Sequence, residues 1–206
     1  RTEVPPFSSE WVRNKILAPG ATRKWRPELQ LITLMLIETG CRPSEIINLR
    51  VEDFHIHEPV PYISIRARND REVKTDTSER DIPLVGISLE AAKRAAPRAF
   101  AHYYDKGELF SANMMKNFRN RGLLETPEHK IYSFRHAFEK RMQEANVDYG
   151  LRCLLMGHKT TRPVYGDGGS LAYRQEELLK IAHPVDPKVM ARFDAEHPNW
   201  ALKGNH

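Results

Sequence analysis

The sequence predicts a mainly α-helical fold that carries one small three-stranded antiparallel β-sheet (α+β). Most of the chain repeats apolar residues at three- and four-residue intervals, which is typical of helices packed on one face. Between residues 60 and 85 the pattern changes to short β-branched runs separated by polar turns, which is typical of strands. The chain has 206 residues, 40% of them apolar and 29% charged, so it is long enough to bury a sizeable core.

Helical patterns begin near the N-terminus. The stretch "SSEWVRNKIL" favours a short helix capped by a serine. "RPELQLITLMLIETG" (26–40) favours a longer one, because Pro27 suits a first turn and Gly40 an end. A further short helix is predicted from Pro43. Later helices are predicted over 88–96, 111–123, 133–145, 148–156 and 171–182.

The sheet is predicted from three short segments, "YISIRA" (62–67), "REVKT" (71–75) and "RDIPL" (80–84). The polar turns between them are short, so neighbouring strands are expected to run antiparallel. Residues 1–182 are expected to form one domain. Residues 183–206 contain three prolines and are expected to form a loosely docked C-terminal tail.

The net charge of +5 is unevenly distributed. From Ser111 to Arg141, seven Lys or Arg residues stand against three Glu, which gives this stretch a net charge of +4. Such a cluster indicates a surface that faces phosphate. A solvated helical face explains the same composition without a ligand.

Two clusters place a cation in a defined local setting. In "TGCRPSEI", Arg42 follows a helix end, and Glu45 lies three residues later, where a carboxylate can orient a guanidinium. A surface ion pair is the alternative. In "REVKTDTSERDIPL", Lys74 lies near a hairpin turn, from which a lysine can reach into a groove. An exposed strand lysine is the alternative there.

The stretch "YSFRHAFEKRM" (132–142) has helical periodicity, with Ser133 as the expected N-cap. Arg135 then falls in the first turn, where the helix end already favours an anion. A cation at this position needs an acidic neighbour or an anionic ligand, and the pattern alone leaves both open.

The last cluster is "LLMGHKTTRPVYGDGGS". His158 follows a glycine that ends an apolar helical stretch, and Tyr165 comes seven residues later, directly before a glycine-rich loop. A tyrosine in this setting can be exposed and mobile. A structural histidine and an ordinary loop tyrosine are the alternatives.

The chain resembles the catalytic domain of the tyrosine recombinases, the phage-integrase family. The resemblance is carried by "TGCRPSEI", "SFRHAF" and "LLMGH" in this order, and "KT" and "SERDIPL" support it. The resemblance covers about residues 8–182. It implies the fold of that catalytic domain and a reaction on DNA. A tyrosine attacks a phosphodiester and becomes linked to the 3′ phosphate, and the 5′ hydroxyl leaves, without metal, ATP or another cofactor.

The resemblance also implies roles for individual residues. Tyr165 is the nucleophile, Arg42 and Arg135 bind the scissile phosphate, and Lys74 is the general acid for the leaving 5′ oxygen. Fixed cations suit this chemistry, because the transition state carries charge on the equatorial oxygens, which guanidinium groups grip bidentately. The matched positions are Arg42, Lys74, Arg135, His158 and Tyr165, with Glu45 in support of Arg42.

Two features depart from the family pattern. Tyr132 stands where a histidine often precedes the second arginine by three residues. A phenol donates a hydrogen bond to phosphate but is a poor proton acceptor near neutral pH, and His129 compensates only if the loop bends. The interval from His158 to Tyr165 is also short, which leaves Tyr173 as the fallback nucleophile, on a helix whose pattern indicates packing.

The expected partner is a double-stranded DNA attachment site. The resemblance implies a homo-oligomer on DNA, a tetramer, docked through the helix at 171–182, whereas packing of this helix on its own chain is the alternative. Its apolar face consists of Leu171, Leu178, Leu179 and Ile181.

A cytoplasmic protein of bacterial or phage origin is expected. The sequence has no 18-residue apolar run and no signal-peptide pattern, and its two cysteines are far apart, as in reduced cytosolic proteins. Because the chain begins at Arg1, it is expected to be a fragment that lacks the family's N-terminal DNA-clamping domain.

Three functions compete with that of a phage or mobile-element integrase. A type IB topoisomerase-like enzyme uses similar residues to nick and close DNA. A DNA-binding regulator keeps the fold without catalysis, which the substitution at Tyr132 and the short His158–Tyr165 interval would explain. The third is an unrelated helical protein with a basic face.

Overall fold

The computed structural model describes residues 3–68, 79–160 and 166–200. It confirms the predicted class, in which helices surround a small three-stranded antiparallel sheet. The helices are α1 Ser9–Trp11, α2 Pro27–Ile37, α3 Pro43–Ile47, α4 Gly86–Ala95, α5 Gly107–Asn120, α6 Tyr132–Glu144, α7 Tyr149–Met156, α8 Leu171–Leu179 and α9 Pro187–Glu196. The strands are β1 Phe54–His55, β2 Tyr62–Ile65 and β3 Arg80–Pro83. Over the three described ranges, none of the helices has the length and apolar character that a membrane span requires.

Helix α2 forms the centre of the core. Every residue from Glu28 to Ile37 is buried, and the helix packs mainly against α4, with further contacts to α3 and α6. The chain leaves it through Gly40, whose φ is +64°. A Cβ at Gly40 would lie 2.3 Å from the Phe138 ring, so only glycine allows α2 and α6 to approach this closely.

Two of the predicted strands are present but shorter than predicted, as β2 and β3. Strand β2 is central and pairs antiparallel with β1 on one side and β3 on the other. Ile63 and Ile82 face each other across β2 and β3 and are fully buried. Strand β1 was not predicted, because two residues are too few to show an alternating pattern. The predicted strand at 71–75 lies outside the described residues.

The segment before α1 packs beneath the start of α6. Phe7 is buried, and its ring stacks on His129 with centroids 4.9 Å apart and packs against Phe134 at 4.8 Å. The backbone N–H of Phe7 donates to the carbonyl of Ser133 at 3.3 Å. These contacts fix the position of the first turn of α6.

Helix α6 begins one residue earlier than predicted. Its N-cap is Ile131, and Tyr132 is its first residue. The prediction of Ser133 as N-cap is therefore wrong. Ser133 is fully buried, and its hydroxyl accepts the backbone N–H of Lys130 at 2.9 Å, a local bond that serine makes readily at helix starts.

A buried ion pair joins α2, α6 and the chain after α8. Glu38 Oε1 lies 2.6 Å from Arg141 Nη1, and Arg141 also donates to the carbonyls of Ile37 and Ile181. The backbone N–H of His183 donates to the second oxygen of Glu38 at 2.7 Å. Burial raises the pKa of Glu38, against the opposing charge of Arg141.

The C-terminal stretch forms α9 and packs firmly, so the expectation of loose docking is wrong for the residues that the structure describes. Phe193 is buried, and Asp194 pairs with Arg94 of α4 at 2.9 Å. The indole N–H of Trp200 donates to the carbonyl of Arg94, also at 2.9 Å. The prolines suggested an irregular tail, but Pro187 occupies the first turn of a helix, where proline is favourable.

We expect the free energy of unfolding to decrease as the pH is lowered, because of the buried His183. Its ring is buried, and burial followed by the charges of Arg141 and Arg13 lowers its pKa from 6.5 to about 3. Between these values the unfolded chain binds a proton here and the folded chain does not. Stability present above pH 6.5 is thus lost as pH falls, by up to about 1.4 kcal/mol per pH unit.

Urea denaturation of the wild type and His183→Gln, from about pH 7 to pH 4, measures this loss. The variant is expected to show a shallower decline, since its side chain does not titrate. Identical slopes for the two proteins would contradict the assignment to His183.

Candidate active site

The turn between α2 and α3 holds Arg42 against Glu45. The backbone N–H of Arg42 donates to Glu45 Oε1 at 2.7 Å, which closes the first turn of α3. The Arg42 guanidinium is held by longer contacts. Its Nη1 lies 3.4 Å from Glu45 Oε2, and its Nη2 lies 3.4 Å from the carbonyl oxygen of Gly157. The side chain is 15% exposed.

Arg80, at the start of β3, binds the same carboxylate more tightly. Its Nη1 and Nη2 lie 2.7 and 3.0 Å from the two oxygens of Glu45, and its Nε donates to the carbonyl of Leu155 at 2.8 Å. The side chain is only 1% exposed. Arg80 was not predicted as a site residue; the stretch "SERDIPL", which contains it, is the signal in the sequence that could have indicated it.

Arg135 connects two turns of the fold from the first turn of α6. Its Nη1 donates to the carbonyl of Gly40 at 2.6 Å, and its Nη2 donates to that of Met156 at 2.6 Å. The same Nη2 lies 3.0 Å from Nε2 of His158. Among the described residues, no carboxylate forms a direct ion pair with this guanidinium, although Arg135 is only 6% exposed.

The C-terminal end of α7 organises the whole cluster. The carbonyls of Leu155, Met156 and Gly157 each accept a hydrogen bond from a different arginine. Helix ends leave such carbonyls without partners inside the helix. The C-terminal end is also the negative end of the helix dipole, which favours cations. Gly157 has a φ of +64°, and a Cβ there would lie 2.8 Å from Nη1 of Arg80.

His158 follows this turn and is solvent-exposed. A guanidinium only donates hydrogen bonds, so the contact with Arg135 makes Nε2 of His158 an acceptor and assigns the ring proton to Nδ1. Desolvation of the buried part of the ring, followed by the charge of Arg135, lowers the pKa of His158. The imidazole is therefore neutral at neutral pH.

The cluster carries a surplus of positive charge. Among the residues that the structure describes, three guanidiniums stand against the single carboxylate of Glu45. Burial, and then the charge of Arg42, lowers the pKa of Arg135 to about 10. Burial alone would raise the pKa of Glu45, but the hydrogen bonds and charge of Arg80 outweigh it and lower that pKa. Arg135 thus stays protonated and Glu45 ionised at neutral pH, and the arrangement is suited to an anion.

Tyr132 and His129 lie differently from the three arginines. Tyr132, the first residue of α6, is 45% exposed. His129 is buried, accepts from Thr126 through Nδ1, and donates from Nε2 to the carbonyl of Pro6 at 3.1 Å. Its ring therefore has a structural role beneath α6.

Lys74 and Tyr165 lie outside the described residues. The segment that carries Lys74 connects β2 to β3, and at its edge Glu79 accepts the backbone N–H of Ala67 at 2.8 Å. Because β3 begins with Arg80, the chain enters the arginine cluster directly after this segment.

The loop that follows Tyr165 is tied to the same region. Arg174 of α8 donates to the carbonyls of Asp167 and Gly168, and also to that of Asp81 in β3 at 3.1 Å. A Cβ at Gly168 would lie 2.7 Å from Leu154 of α7. The loop is thereby held between β3 and α7, and the β3 residue that it is tied to, Asp81, directly follows Arg80.

Helix α8 packs on its own chain, against β3. Leu178 and, just beyond the helix, Ile181 are buried. Leu179 is 57% exposed, and Tyr173 is also exposed. The predicted apolar face is therefore divided, and only part of it is covered within this chain.

In the described part of the chain, no three or more His, Cys, Asp or Glu residues are grouped so that they could hold a metal ion.

Solved integrases share this fold. The integrase from mycobacterium phage Brujita aligns with a TM-score of 0.63 and 16% identity, over 94% of this chain and 64% of that one. The Tn1549 transposon integrase, solved in complex with transposon right end DNA, aligns with a TM-score of 0.57 and 16% identity, over 95% of this chain and 67% of that one. A structure of the same integrase in complex with circular intermediate DNA aligns with a TM-score of 0.57 and 16% identity, over 95% of this chain and 68% of that one.

The chain therefore has the fold of phage and transposon integrases of the tyrosine recombinase type, as the sequence motifs predicted. It spans 64% of the length of the phage integrase structure. No protein-family model matches the sequence. No curated protein matches it in sequence.

We expect Gly157→Ala to destabilise the protein more than Gly122→Ala. The two glycines have nearly the same φ, +64° and +65°, so the backbone strain of alanine is similar, about 1–2 kcal/mol. A Cβ at Gly122 meets no atom within 4 Å, whereas one at Gly157 lies 2.8 Å from the buried guanidinium of Arg80. The clash adds about 1 kcal/mol or more.

Urea denaturation of both variants at neutral pH measures the difference, with Gly122→Ala as the matched control. Equal losses of unfolding free energy would show that the Arg80 guanidinium moves aside without cost and does not depend on the shape of this turn.

Proposed function

We propose that this chain is the catalytic domain of a site-specific DNA recombinase, a phage or mobile-element integrase. It cuts and rejoins DNA through a covalent 3′-phosphotyrosine intermediate, without metal or ATP. The observation that carries the proposal is the convergence of Arg42 and Arg135 on the end of α7, in a cluster with surplus positive charge. The shared integrase fold supports it. In this proposal residues 1–182 make up the catalytic domain.

The two arginines bind the nonbridging oxygens of the scissile phosphate. Arg42 is held by contacts of 3.4 Å, so turning its guanidinium toward a charged oxygen breaks no strong bond. Arg135 is oriented by the carbonyls of Gly40 and Met156. With His158, these partners account for three of its five N–H donors. A phosphodiester adds the negative charge that the cluster lacks.

The reaction is a phosphoryl transfer with two covalent changes. The phenolic oxygen of Tyr165 attacks phosphorus, and the bond from phosphorus to the 5′ oxygen breaks. Lys74 protonates that oxygen as it leaves. Neutral His158 takes the phenolic proton once its Nε2 is released from Arg135. Attack by the 5′ hydroxyl of a partner strand then reverses these steps and regenerates the tyrosine.

Positive charge makes the phenol reactive. A free tyrosine has a pKa near ~10 and is a poor nucleophile at pH 7. Guanidiniums that surround the phosphate stabilise both the forming phenolate and the charge on the equatorial oxygens. Glu45 orients Arg42 for this purpose, and the exposed phenol of Tyr132 donates a further hydrogen bond to the phosphate.

The neighbouring chain supports Tyr165 as the nucleophile. Gly166, the first described residue of the loop, directly follows Tyr165 in the sequence. Arg174 ties Asp167 and Gly168 to the β3 carbonyl next to Arg80. Tyr173 is the less suitable candidate, because it lies in the first turn of α8, where its backbone N–H donates to the Ser170 cap.

The proposed partner is a duplex DNA attachment site, bound in the cytoplasm. Assembly into a tetramer on DNA would use the part of α8 that its own chain leaves uncovered, at Tyr173 and Leu179.

A DNA-binding regulator without catalysis is the second candidate. One observation favours it: position 132 carries an exposed tyrosine, and His129 is buried and turned away from the cluster. A type IB topoisomerase-like enzyme would use the same residues and would also form a covalent adduct, but it would close the strand it had cut rather than exchange strands.

We expect the full-length protein to form a covalent adduct with a nicked suicide substrate that carries its cognate cleavage site. The short strand 3′ of the cut diffuses away, so the phosphotyrosine is trapped and survives detergent. Tyr165→Phe is expected to abolish the adduct, and Tyr173→Phe, the matched control, to retain it.

Gel electrophoresis under denaturing conditions reads the result. The reverse pattern would identify Tyr173 as the nucleophile. Absence of any adduct, with specific DNA binding intact, would favour the regulator. Strand exchange between two labelled duplexes separates a recombinase from a topoisomerase-like enzyme.

We expect Arg135→Lys to lower the cleavage rate at least about a hundredfold, because an ammonium does not replace a fork of parallel N–H donors. DNA affinity should remain similar, since the charge is kept. Arg94→Lys is the matched control, because Arg94 pairs with Asp194 at the α4–α9 contact. This variant should cleave DNA as the wild type does. Thermal melting checks that both variants are folded. Near-normal cleavage by Arg135→Lys would show that bidentate binding of the phosphate by Arg135 is not required.

A further inference from the structure

Two arginines compete for one carboxylate in this fold. Arg80 binds both oxygens of Glu45, at 2.7 and 3.0 Å, whereas the guanidinium of Arg42 approaches only to 3.4 Å. Paired N–H donors on a carboxylate form one of the strongest hydrogen-bonded contacts in proteins. The negative charge of Glu45 is therefore taken up mainly by Arg80, and only weakly by the arginine proposed to bind phosphate.

Arg80 is itself fixed on every side that the structure describes. It is almost completely buried, and its Nε donates to the carbonyl of Leu155 at 2.8 Å. The absence of a side chain at Gly157 leaves the space that the guanidinium occupies, since a Cβ there would lie 2.8 Å from Nη1. A substrate phosphate has no route to a buried group that is already bidentate, so Arg80 is not suited to bind the ligand directly.

We propose that Arg80 is a positioning residue that occupies Glu45 and so keeps the guanidinium of Arg42 available for phosphate. The inference rests on the proposed function, in which Arg42 contacts the scissile phosphate. Glu45 then has two tasks at once. Its Oε1 holds the backbone of Arg42 at 2.7 Å, and its charge is neutralised from the opposite side.

Removal of Arg80 changes which ion pair forms. A buried carboxylate needs a cation, and Arg42 is the nearest one, already 3.4 Å away. Without Arg80, Arg42 closes on Glu45, and the surplus of positive charge in the cluster falls from two to one. Phosphate then has to break a buried ion pair before it binds, and catalysis slows although Arg42 is still present.

A purely structural role makes a different prediction. If Arg80 only holds β3 against α7, its loss lowers stability, and cleavage falls only as far as the protein unfolds. If it occupies Glu45, cleavage falls in fully folded protein, and removal of the charge of Glu45 restores it. The double variant Arg80→Met/Glu45→Gln separates the two roles, because it deletes the ion pair as a unit.

The test compares cleavage of the suicide substrate at saturating DNA, at a temperature where circular dichroism shows each protein to be folded. Arg80→Met is expected to be at least about a hundredfold slower than the wild type, and the double variant at least about tenfold faster than Arg80→Met. Arg80→Lys, which keeps the charge, is expected to fall between wild type and Arg80→Met. Arg94→Met, which deletes another bidentate arginine–carboxylate pair, should remain near wild type.

A second readout does not depend on catalysis. The NMR signal of the Arg42 Nε–Hε group reports how fast its proton exchanges with water in this chain. Exchange is expected to slow in Arg80→Met, as Arg42 closes on the carboxylate, and to recover in the double variant. Wild-type cleavage and unchanged Arg42 exchange in folded Arg80→Met would overturn the inference, as would a double variant that regains stability without cleavage. If even the wild type forms no Tyr165-dependent adduct, the proposed function fails, and the exchange measurement still decides the role of Arg80.

Discussion

The end of helix α7 is the constraint on which the rest of this site depends. Three successive carbonyls there, of Leu155, Met156 and Gly157, lack partners inside the helix and each accept from an arginine on a different segment of the chain. Buried carbonyls need donors, and arginine supplies several N–H groups in a rigid plane. The same bonds that complete the helix therefore gather three cations that would otherwise repel one another. A positively charged site is a consequence of how this helix ends.

Helix α6 shows how the fold distinguishes a structural arginine from one that is suited to bind a ligand. Arg135 and Arg141 lie on the same helix and both donate to backbone carbonyls. Arg141 also has a buried carboxylate, Glu38, at 2.6 Å, so its charge is balanced within the protein. Arg135 has no direct ion pair among the described residues, and the nearby charge of Arg42 adds to burial in lowering its pKa to about 10. An arginine whose charge is opposed rather than balanced by its surroundings is the one that gains from an anion.

The sequence predicted what depends on neighbours along the chain and missed what depends on distant partners. Helical periodicity identified the core helices, and the local motifs singled out Arg42 and Arg135, which the structure brings together at the end of α7. Arg80 escaped notice because a charged residue in a strand is expected to face solvent, yet it shares the buried face of β3 with Ile82, two residues on. Its burial is stabilised by Glu45, thirty-five residues earlier. The count of basic residues was similarly uninformative, because it treats Arg141, already paired with Glu38, like an exposed lysine.

Apart from the carboxylate of Glu45, which binds mainly Arg80, the acceptors in the cluster are neutral. Arg42 and Arg135 bind carbonyls, and Arg135 also binds the neutral ring of His158. Neutral acceptors orient guanidiniums but do little to offset the repulsion between them, which is why Arg42 lowers the pKa of Arg135. In the proposed function, a phosphodiester oxygen carries the charge that these acceptors lack, so its arrival would strengthen the hydrogen bonds and relieve the repulsion in one step. Under the same proposal it would draw Arg135 away from His158, which would free an imidazole nitrogen to accept a proton when the phosphate is in place.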